Sequence, residues 1–335
     1  MTTTHSNPQG SAGDEPTAGI QRDAEYYRTL TRDNRKNRLK RMARQSGAAL
    51  EALTSRPRWQ KLSDDVAAGR RPRQKLSTCI ITMNSQERIR PLLTYCRQFS
   101  DEIVVGVDSK TTDATYSACE GLADELFWIE NDHLTCNAGL EALVNRCHGD
   151  WVLRLDDDEF PEPDWIRYHQ GILASAGDVT HYKLPRLHIA ELVDAAAGRM
   201  SWLDDGYLYP DYQMRLFRND KALLSFPGAV GHASIGCSGP RGKLHGINLV
   251  HLNLAINPRF KREEKLGKYI RRLQGGWVHP INEHALLFED FNYRIRDYRG
   301  GDERFRRLLA ETTRHQAICY ERERQNAISE LASLG

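Results

Sequence analysis

The chain has 335 residues, of which 40% are hydrophobic and 27% charged, enough for one large globular domain with appendages or two small ones. Seven cysteines, at 79, 96, 119, 136, 147, 237 and 319, form no CxxC pair, which argues against a disulfide framework or zinc ribbon and for a reducing, cytoplasmic setting. Net charge is only +2, the start MTTTHSNPQGSAGDEPTAG has no apolar core of a signal peptide, and no run of roughly 18 apolar residues suggests a spanning helix.

Residues 1–19 are Gly-, Pro-, Ser- and Thr-rich and read as disordered. Residues 20–75 hold sixteen Lys and Arg against six Asp and Glu, whereas 76–335 sum to about −6, so the basic character belongs to this early segment. Leu30, Leu39, Met42, Leu50 and Leu53 recur at helical spacing, and Pro57 in SRPRW predicts a break into two helices before the linker GRRPRQK. Such a segment serves as a solvated helix leading into the fold, or as a contact for an acidic partner or the inner face of a membrane. It has few aromatics and no nucleic-acid motif, so nucleic acid is not an expected partner.

From Leu76 short apolar runs alternate with helix-compatible stretches. LSTCIITM (76–83), EIVVGVD (102–108), ELFWIE (125–130) and WVLRLDDDE (151–159) predict strands; 86–99, 111–123 and 134–148 predict the returning helices. That order implies an α/β fold with a mainly parallel sheet flanked by helices, whose ligands bind at the carboxyl ends of the strands. Strands are also expected at 181–189, 212–218 and 247–254, and 257–335 reads as mainly helical. The chain thus divides into a basic helical extension and linker (20–75), an α/β domain (76–256) and a C-terminal helical region (257–335).

One strand end stands out: GDWVLRLDDDEFPEPDW drives an apolar run into Asp156, Asp157, Asp158 and Glu159. Clustered carboxylates at a buried strand end repel unless something neutralises them, and a hard divalent cation, Mg²⁺ or Mn²⁺, would do so. Period-two alternation sends Asp156 and Asp158 to one side and Asp157 and Glu159 to the other, unless a turn begins there. Asp108, closing the second strand, suits a base or ribose contact or a turn cap, and Asp113 suits a structural cap. The first strand–helix connection, TMNSQER, lacks GxGxxG and GxxxxGKS, against dinucleotide-binding Rossmann and P-loop chemistry.

Taken in order, LSTCIITMNSQER, EIVVGVDSKTTDAT and NAGLEALVNRCHGDWVLRLDDDEF resemble the GT-A glycosyltransferases of family 2, whose corresponding segments typically read VDxGSTDGT and LDADE. The likeness spans about residues 76–165, and YPDYQMRLFR (209–218), GAVGH and INLVHL are similar to the acceptor side of bacterial members acting on lipopolysaccharide core or related acceptors. The resemblance implies a GT-A fold with helical N- and C-terminal extensions. It also implies inverting transfer of a sugar from a nucleotide-diphosphate donor to a hydroxyl of a glycan, lipid-linked or small-molecule acceptor. Thr82, Asn84 and Asp108 would surround base and ribose, Asp156 would lie near the ribose, Asn137 and Arg154 would flank the site, and Asp157 counts among the donor contacts. Asp158 would hold Mn²⁺ or Mg²⁺. Lys110 stands where the family usually has Gly, and the family's TYN motif is altered around Met83 and Asn84, so the base remains unassigned.

Displacement at the anomeric carbon needs a base for the acceptor hydroxyl, and Asp211 in YPDYQMR is the first choice, with Asp204 and Asp205 as competitors. Arg215, four residues on, would pair with Asp211 or with the diphosphate. Among His232, His245 and His251, the last ends an apolar run and resembles the family's late histidine; it is read as a second metal ligand or a core residue. Two other classes fit part of the pattern. A nucleotidyltransferase would need a Gly-rich basic loop after the first strand, and a non-catalytic GT-A-like protein would bind a glycan or partner without chemistry.

Overall fold

A computed structural model describes residues 34–130, 137–204, 208–227, 235–272, 286–290 and 293–333. The first described helix, α1 (Asn34–Ala67), runs unbroken through Pro57, against the expected division into two. A mid-helix proline loses one hydrogen bond and crowds the preceding turn, at about 3 kcal/mol. Contacts from outside hold the helix across it. Glu51 accepts the His245 and Gly246 N–H groups at 2.7 and 3.1 Å. Arg56 donates to the Gly246 carbonyl at 2.8 Å and pairs with Asp164 at 2.8 Å, and Trp59 is buried.

The nearly continuous apolar runs form β1 (Leu76–Thr82), β2 (Glu102–Asp108), β3 (Glu125–Ile129) and β4 (Trp151–Asp156), with α2 (Gln86–Cys96), α3 (Thr115–Cys119) and α4 (Asn137–Asn145) between them. They lie side by side as β4-β1-β2-β3, all parallel, so their polar closing residues meet at one edge. After β5 (Glu159–Pro161), α5 (Pro163–Ala174) packs back on α1. The approach is close enough to require Gly171: a Cβ there would lie 1.9 Å from the Trp59 carbonyl oxygen, and its N–H donates to Ser63 Oγ at 2.9 Å.

Beyond α5 the direction changes. β6 (His181–Asp194), β7 (Arg199–Leu203) and β8 (Asp211–Arg218) are joined by antiparallel pairing, and β8 inserts between β4 and β6. The α/β class is as expected, but the sheet is mixed, parallel in its first half and antiparallel in most of its second. β9 (Leu224–Ser225) and β10 (Gly236–Cys237) form a small separate pair. β11 (Arg241–Lys243) and β12 (Leu249–His251) run parallel to β6, and β12 also runs antiparallel to β5. The C-terminal part holds α6 (Asn253–Ile256), α7 (Arg259–Arg272) and α8 (Glu303–Ser333), and adds β13 (Ile295–Asp297) to β7, a strand the helical reading of 257–335 missed. α8 packs on α2, β6 and β7. Among the described residues the cysteines are free, and no helix is long and apolar enough to cross a membrane.

If α1 is docked as described, Trp59→Ala removes a buried anchor and should lower unfolding free energy by about 3–5 kcal/mol. Urea titration checks this; a loss under about 0.5 kcal/mol would mean that the helix contributes nothing to stability.

Candidate active site

The four acids do not share one environment. β4 ends at Asp156, and Asp157 and Asp158 form a turn that leads into β5 at Glu159. Strand alternation therefore breaks, and the acids pair differently from the expected Asp156/Asp158 and Asp157/Glu159 faces. Asp156 and Glu159 converge on Arg215, whose guanidinium lies 2.5 Å from Asp156 and donates twice to Glu159 at 2.8 Å. Arg154 adds a second contact to Asp156 at 2.5 Å, and Arg186 reaches Glu159 at 3.3 Å. Asp157 turns the other way: Arg88 of α2 grips both its oxygens at 3.2 and 2.9 Å, and Thr82 donates to it at 2.7 Å. A cation was expected to relieve the repulsion; arginines supply it for three of the four acids.

Asp158 is the exception. Its carboxylate faces His251 Nε2 at 3.4 Å, and His251 Nδ1 lies 3.0 Å from His188 Nδ1. His188 Nε2 in turn faces Asp211 at 3.6 Å. Burial pushes His188 down to about 4, so it is neutral near pH 7. A neutral His188 that directs its Nε2–H at Asp211 accepts at Nδ1, so His251 donates from Nδ1 and keeps Nε2 for Asp158. An imidazole nitrogen and a carboxylate facing each other hold a proton between them, or a cation in its place. One oxygen and one nitrogen donor suit Mn²⁺ or Mg²⁺ with its other positions filled by phosphate oxygens and water. Among the described residues no group of three or more His, Cys, Asp or Glu side chains is arranged to hold a metal alone.

Asp211 is not open. Arg186 pairs with it at 2.6 Å and Gln213 Nε2 donates to it at 2.6 Å. Arg215 was expected to pair with Asp211 or a diphosphate; on β8 it instead serves Asp156 and Glu159, and Arg186 takes Asp211 because β6 sets the two residues opposite each other. Despite burial, Arg186 holds the Asp211 carboxyl well below the usual range. Arg154, Arg215 and Arg186 do the same for Asp156, and His251 for Asp158, each against burial.

At the neighbouring strand ends, Asn84 has φ 48° and accepts the Thr112 N–H at 2.8 Å, tying the β1 and β2 loops together. Thr82 also bonds to Ser85. Asp108 is buried and accepts the Lys110 N–H at 2.9 Å, the turn-cap geometry, and Asp113 accepts the Thr115 N–H at 2.9 Å at the start of α3, the structural role expected of it. Asn137 begins α4 at the same edge. Of the competing bases, Asp204 is buried against Arg294 and Arg296 at 2.6 and 2.8 Å. His245 bonds to Tyr212 at 2.5 Å instead of joining His251. Asp205 and His232 lie outside the described residues. Sequence reading missed Arg88, Arg186 and His188. Arg186 and His188 carried a usable signal, a basic pair two residues apart in an apolar strand, which puts both on one face.

These features define an α/β protein whose polar residues gather at the carboxyl ends of parallel strands around an arginine-compensated acid cluster. Residues 77–185 match the family described as Glycosyl transferase family 2. Two curated relatives match part of it. An uncharacterised glycosyltransferase of Rickettsia conorii is 33% identical over 89 residues, 26% of this chain and 29% of the relative. One from Rickettsia typhi is 33% identical over 86 residues, covering 26% and 28%. The chain thus spans less than a third of the length of these relatives. Among solved structures, glucosyl-3-phosphoglycerate synthase of Mycobacterium tuberculosis superposes with a TM-score of 0.39 at 14% identity, over 65% of this chain and 86% of that one. A Pyrobaculum calidifontis mannosyltransferase gives 0.38 at 14% over 89% and 91%, and S. aureus TarS 0.37 at 13% over 63% and 69%. Likenesses this loose carry no assignment.

Asp156, Asp158 and Asp211 are held below their unfolded values near 3.9. The unfolded chain therefore binds more protons as pH falls, and the stability these groups give near neutrality is lost on acidification. Thermal unfolding should be flat near pH 7 and fall below about pH 5, with a shallower fall in Asp156→Asn. A Tm unchanged down to about pH 3 would show that the ion pairs do not hold the fold.

Proposed function

We propose that the protein transfers a glycosyl group from a nucleotide-diphosphate sugar to an acceptor hydroxyl, in a reaction dependent on Mn²⁺ or Mg²⁺. The observation that carries this reading is the facing pair Asp158 and His251: among the described residues Asp158 is the acid of the cluster that no arginine pairs with directly, and His251 Nε2 lies 3.4 Å from it. A divalent ion held there would stabilise the negative charge that builds on the leaving diphosphate. In this reading Thr82, Asn84, Asp108 and Asn137 border the base and ribose at the ends of β1 and β2 and the start of α4. Asp156 and Arg154 flank the ribose, and Asp157 acts through Thr82 and Arg88 to fix the β1 loop.

Asp211 remains the proposed base, and inversion follows from direct displacement. Its pairing with Arg186 keeps it ionised and therefore in the accepting form, but lowers its proton affinity. Arg186 already touches Glu159 at 3.3 Å, so a shift of that guanidinium toward Glu159 would strengthen Asp211 as acceptor. His188 beside it orients the His251 ring.

The acceptor is a glycan, a lipid-linked molecule or a small molecule. Leu39, Met42, Leu50 and Leu53 project from the basic α1 with 55–77% exposure, which favours peripheral contact with an anionic membrane surface. On this reading vesicles containing phosphatidylserine should co-sediment the protein, and the quadruple substitution of these four residues by Ser should release it; equal pelleting of both would sink the idea.

Two variants separate donor binding from transfer. Uridine and guanosine diphosphate, titrated calorimetrically with Mn²⁺ and with EDTA, should bind only with metal, and Asp158→Ala should abolish that binding. Asp211→Asn should keep donor binding within a few-fold but lower transfer or slow donor hydrolysis by about 10²–10⁴. Metal-indifferent binding would reject the metal role, and lost binding in Asp211→Asn would reject its role as base.

A further inference from the structure

The same strands carry a second cavity on their opposite face. Alternation along the β5–β12 ladder sends Glu159 and His251 toward the arginines, and Glu162 and Asn248, one residue beyond each strand end, to the other side. The Glu162 N–H donates to the Asn248 carbonyl at 3.0 Å, which extends the ladder and fixes that arrangement. Leu187, between Arg186 and His188 on β6, lines this far cavity and not the acid cluster.

The cavity is a cleft open to solvent with a volume of about 680 Å³, within the ~300–1,000 Å³ common for small-molecule sites. At its inner end the buried Glu162 carboxyl accepts from Tyr298 Oη and Asn248 Nδ2, each at 2.8 Å, and Asn248 Oδ1 accepts from Tyr209 Oη at 2.8 Å. Both phenol oxygens keep lone pairs, and the Asn248 amide keeps a second N–H. Trp202 and Tyr209 meet edge to face, with centroids 5.1 Å apart, and both rings are half-buried. Gly300 passes directly over the carboxyl: a Cβ there would fall 2.1 Å from Glu162 Oε1. The backbone is thus bare where a larger residue would fill the inner end.

Arg296 pairs with Asp204 at 2.8 Å and Arg299 faces Asp297 at 3.7 Å, so both rim guanidiniums have carboxylate partners. The lining thus offers hydroxyl, amide and carboxyl donors and acceptors beside aromatic faces. A pyranose offers the complement, hydroxyls that both donate and accept and a C–H face that rests on the negative face of an aromatic ring.

We propose that this cavity binds one or two sugar units of a neutral glycan, at a site separated by the sheet from the acid cluster. The inference does not rest on glycosyl transfer, and its test needs none. The methyl glycosides of glucose, galactose, mannose and N-acetylglucosamine, with maltotriose, are titrated against the full chain by saturation-transfer NMR and tryptophan fluorescence. At least one should bind, uridine diphosphate with Mn²⁺ should not displace it, and Trp202→Ala and Asn248→Ala should each weaken it at least tenfold. Should either variant misfold, Tyr209→Phe, which keeps the ring and removes the hydroxyl, should weaken binding several-fold. Absence of binding by every probe, displacement by the nucleotide, or wild-type affinity in the folded variants would overturn the proposal. Loss of nucleotide binding without loss of sugar binding would instead count against the glycosyl-transfer reading alone.

Discussion

The structure depends on how it keeps four consecutive acids at the end of a buried strand. Removing one member of a buried ion pair leaves the other uncompensated, at roughly 3–5 kcal/mol, so the neutralising cations must be fixed as firmly as the acids. They come from four elements: Arg88 from α2, Arg154 from β4 itself, Arg186 from β6 and Arg215 from β8. This gives the change of sheet direction a physical role. An antiparallel β8 lying directly against β4 sets Leu216 opposite Leu153, so Arg215 follows alongside Arg154 and both reach Asp156. The pairing of Arg186 with Asp211 across β6 and β8 then ties the next carboxylate into the same lattice.

Compensation by arginine also sharpens which residues are available for chemistry. A carboxylate gripped in two places by a guanidinium is a poor metal ligand, because a cation must displace the first partner before it binds. Asp157 and Glu159 are committed in this sense, and Asp156 nearly so. Among the described residues Asp158 pairs directly with an imidazole and with no guanidinium, and the His188 and Asp211 contacts behind that ring orient it, as an outer carboxylate and histidine orient a ligand. Charge bookkeeping of the whole cluster therefore leads to one residue.

Much of the first half was legible in the sequence because its information is local. Continuous β-branched runs and intervening helices specify a parallel sheet, and the acids were found because they are adjacent in the chain. What could not be read was set by pairing across distance. The insertion of β8, which decides whether Arg215 meets Asp211 or Asp156, depends on which strand packs beside β4, and no spacing in YPDYQMRLFR encodes that. Strand alternation misassigned the acids because the turn at Asp157 and Asp158 resets it, and Pro57 misled because contacts from Glu51, Arg56 and Trp59 hold the helix around it.

One short ladder, β5 against β12, supports two opposed electrostatic settings. On one side Arg154, Arg215 and Arg186 favour the ionised form of Asp156, and His251 that of Asp158, against burial. On the other, Glu162 sits among Tyr298, Asn248 and aromatic rings; burial there pushes its carboxyl up, although the Tyr298 and Asn248 hydrogen bonds oppose this. Two carboxyl groups four residues apart are thus driven in opposite directions by what faces them. The sheet is the insulator between them: its backbone groups are satisfied within the ladder, so each face can be shaped by its own side chains, and a substitution that alters polarity on one face leaves the charge balance of the other in place.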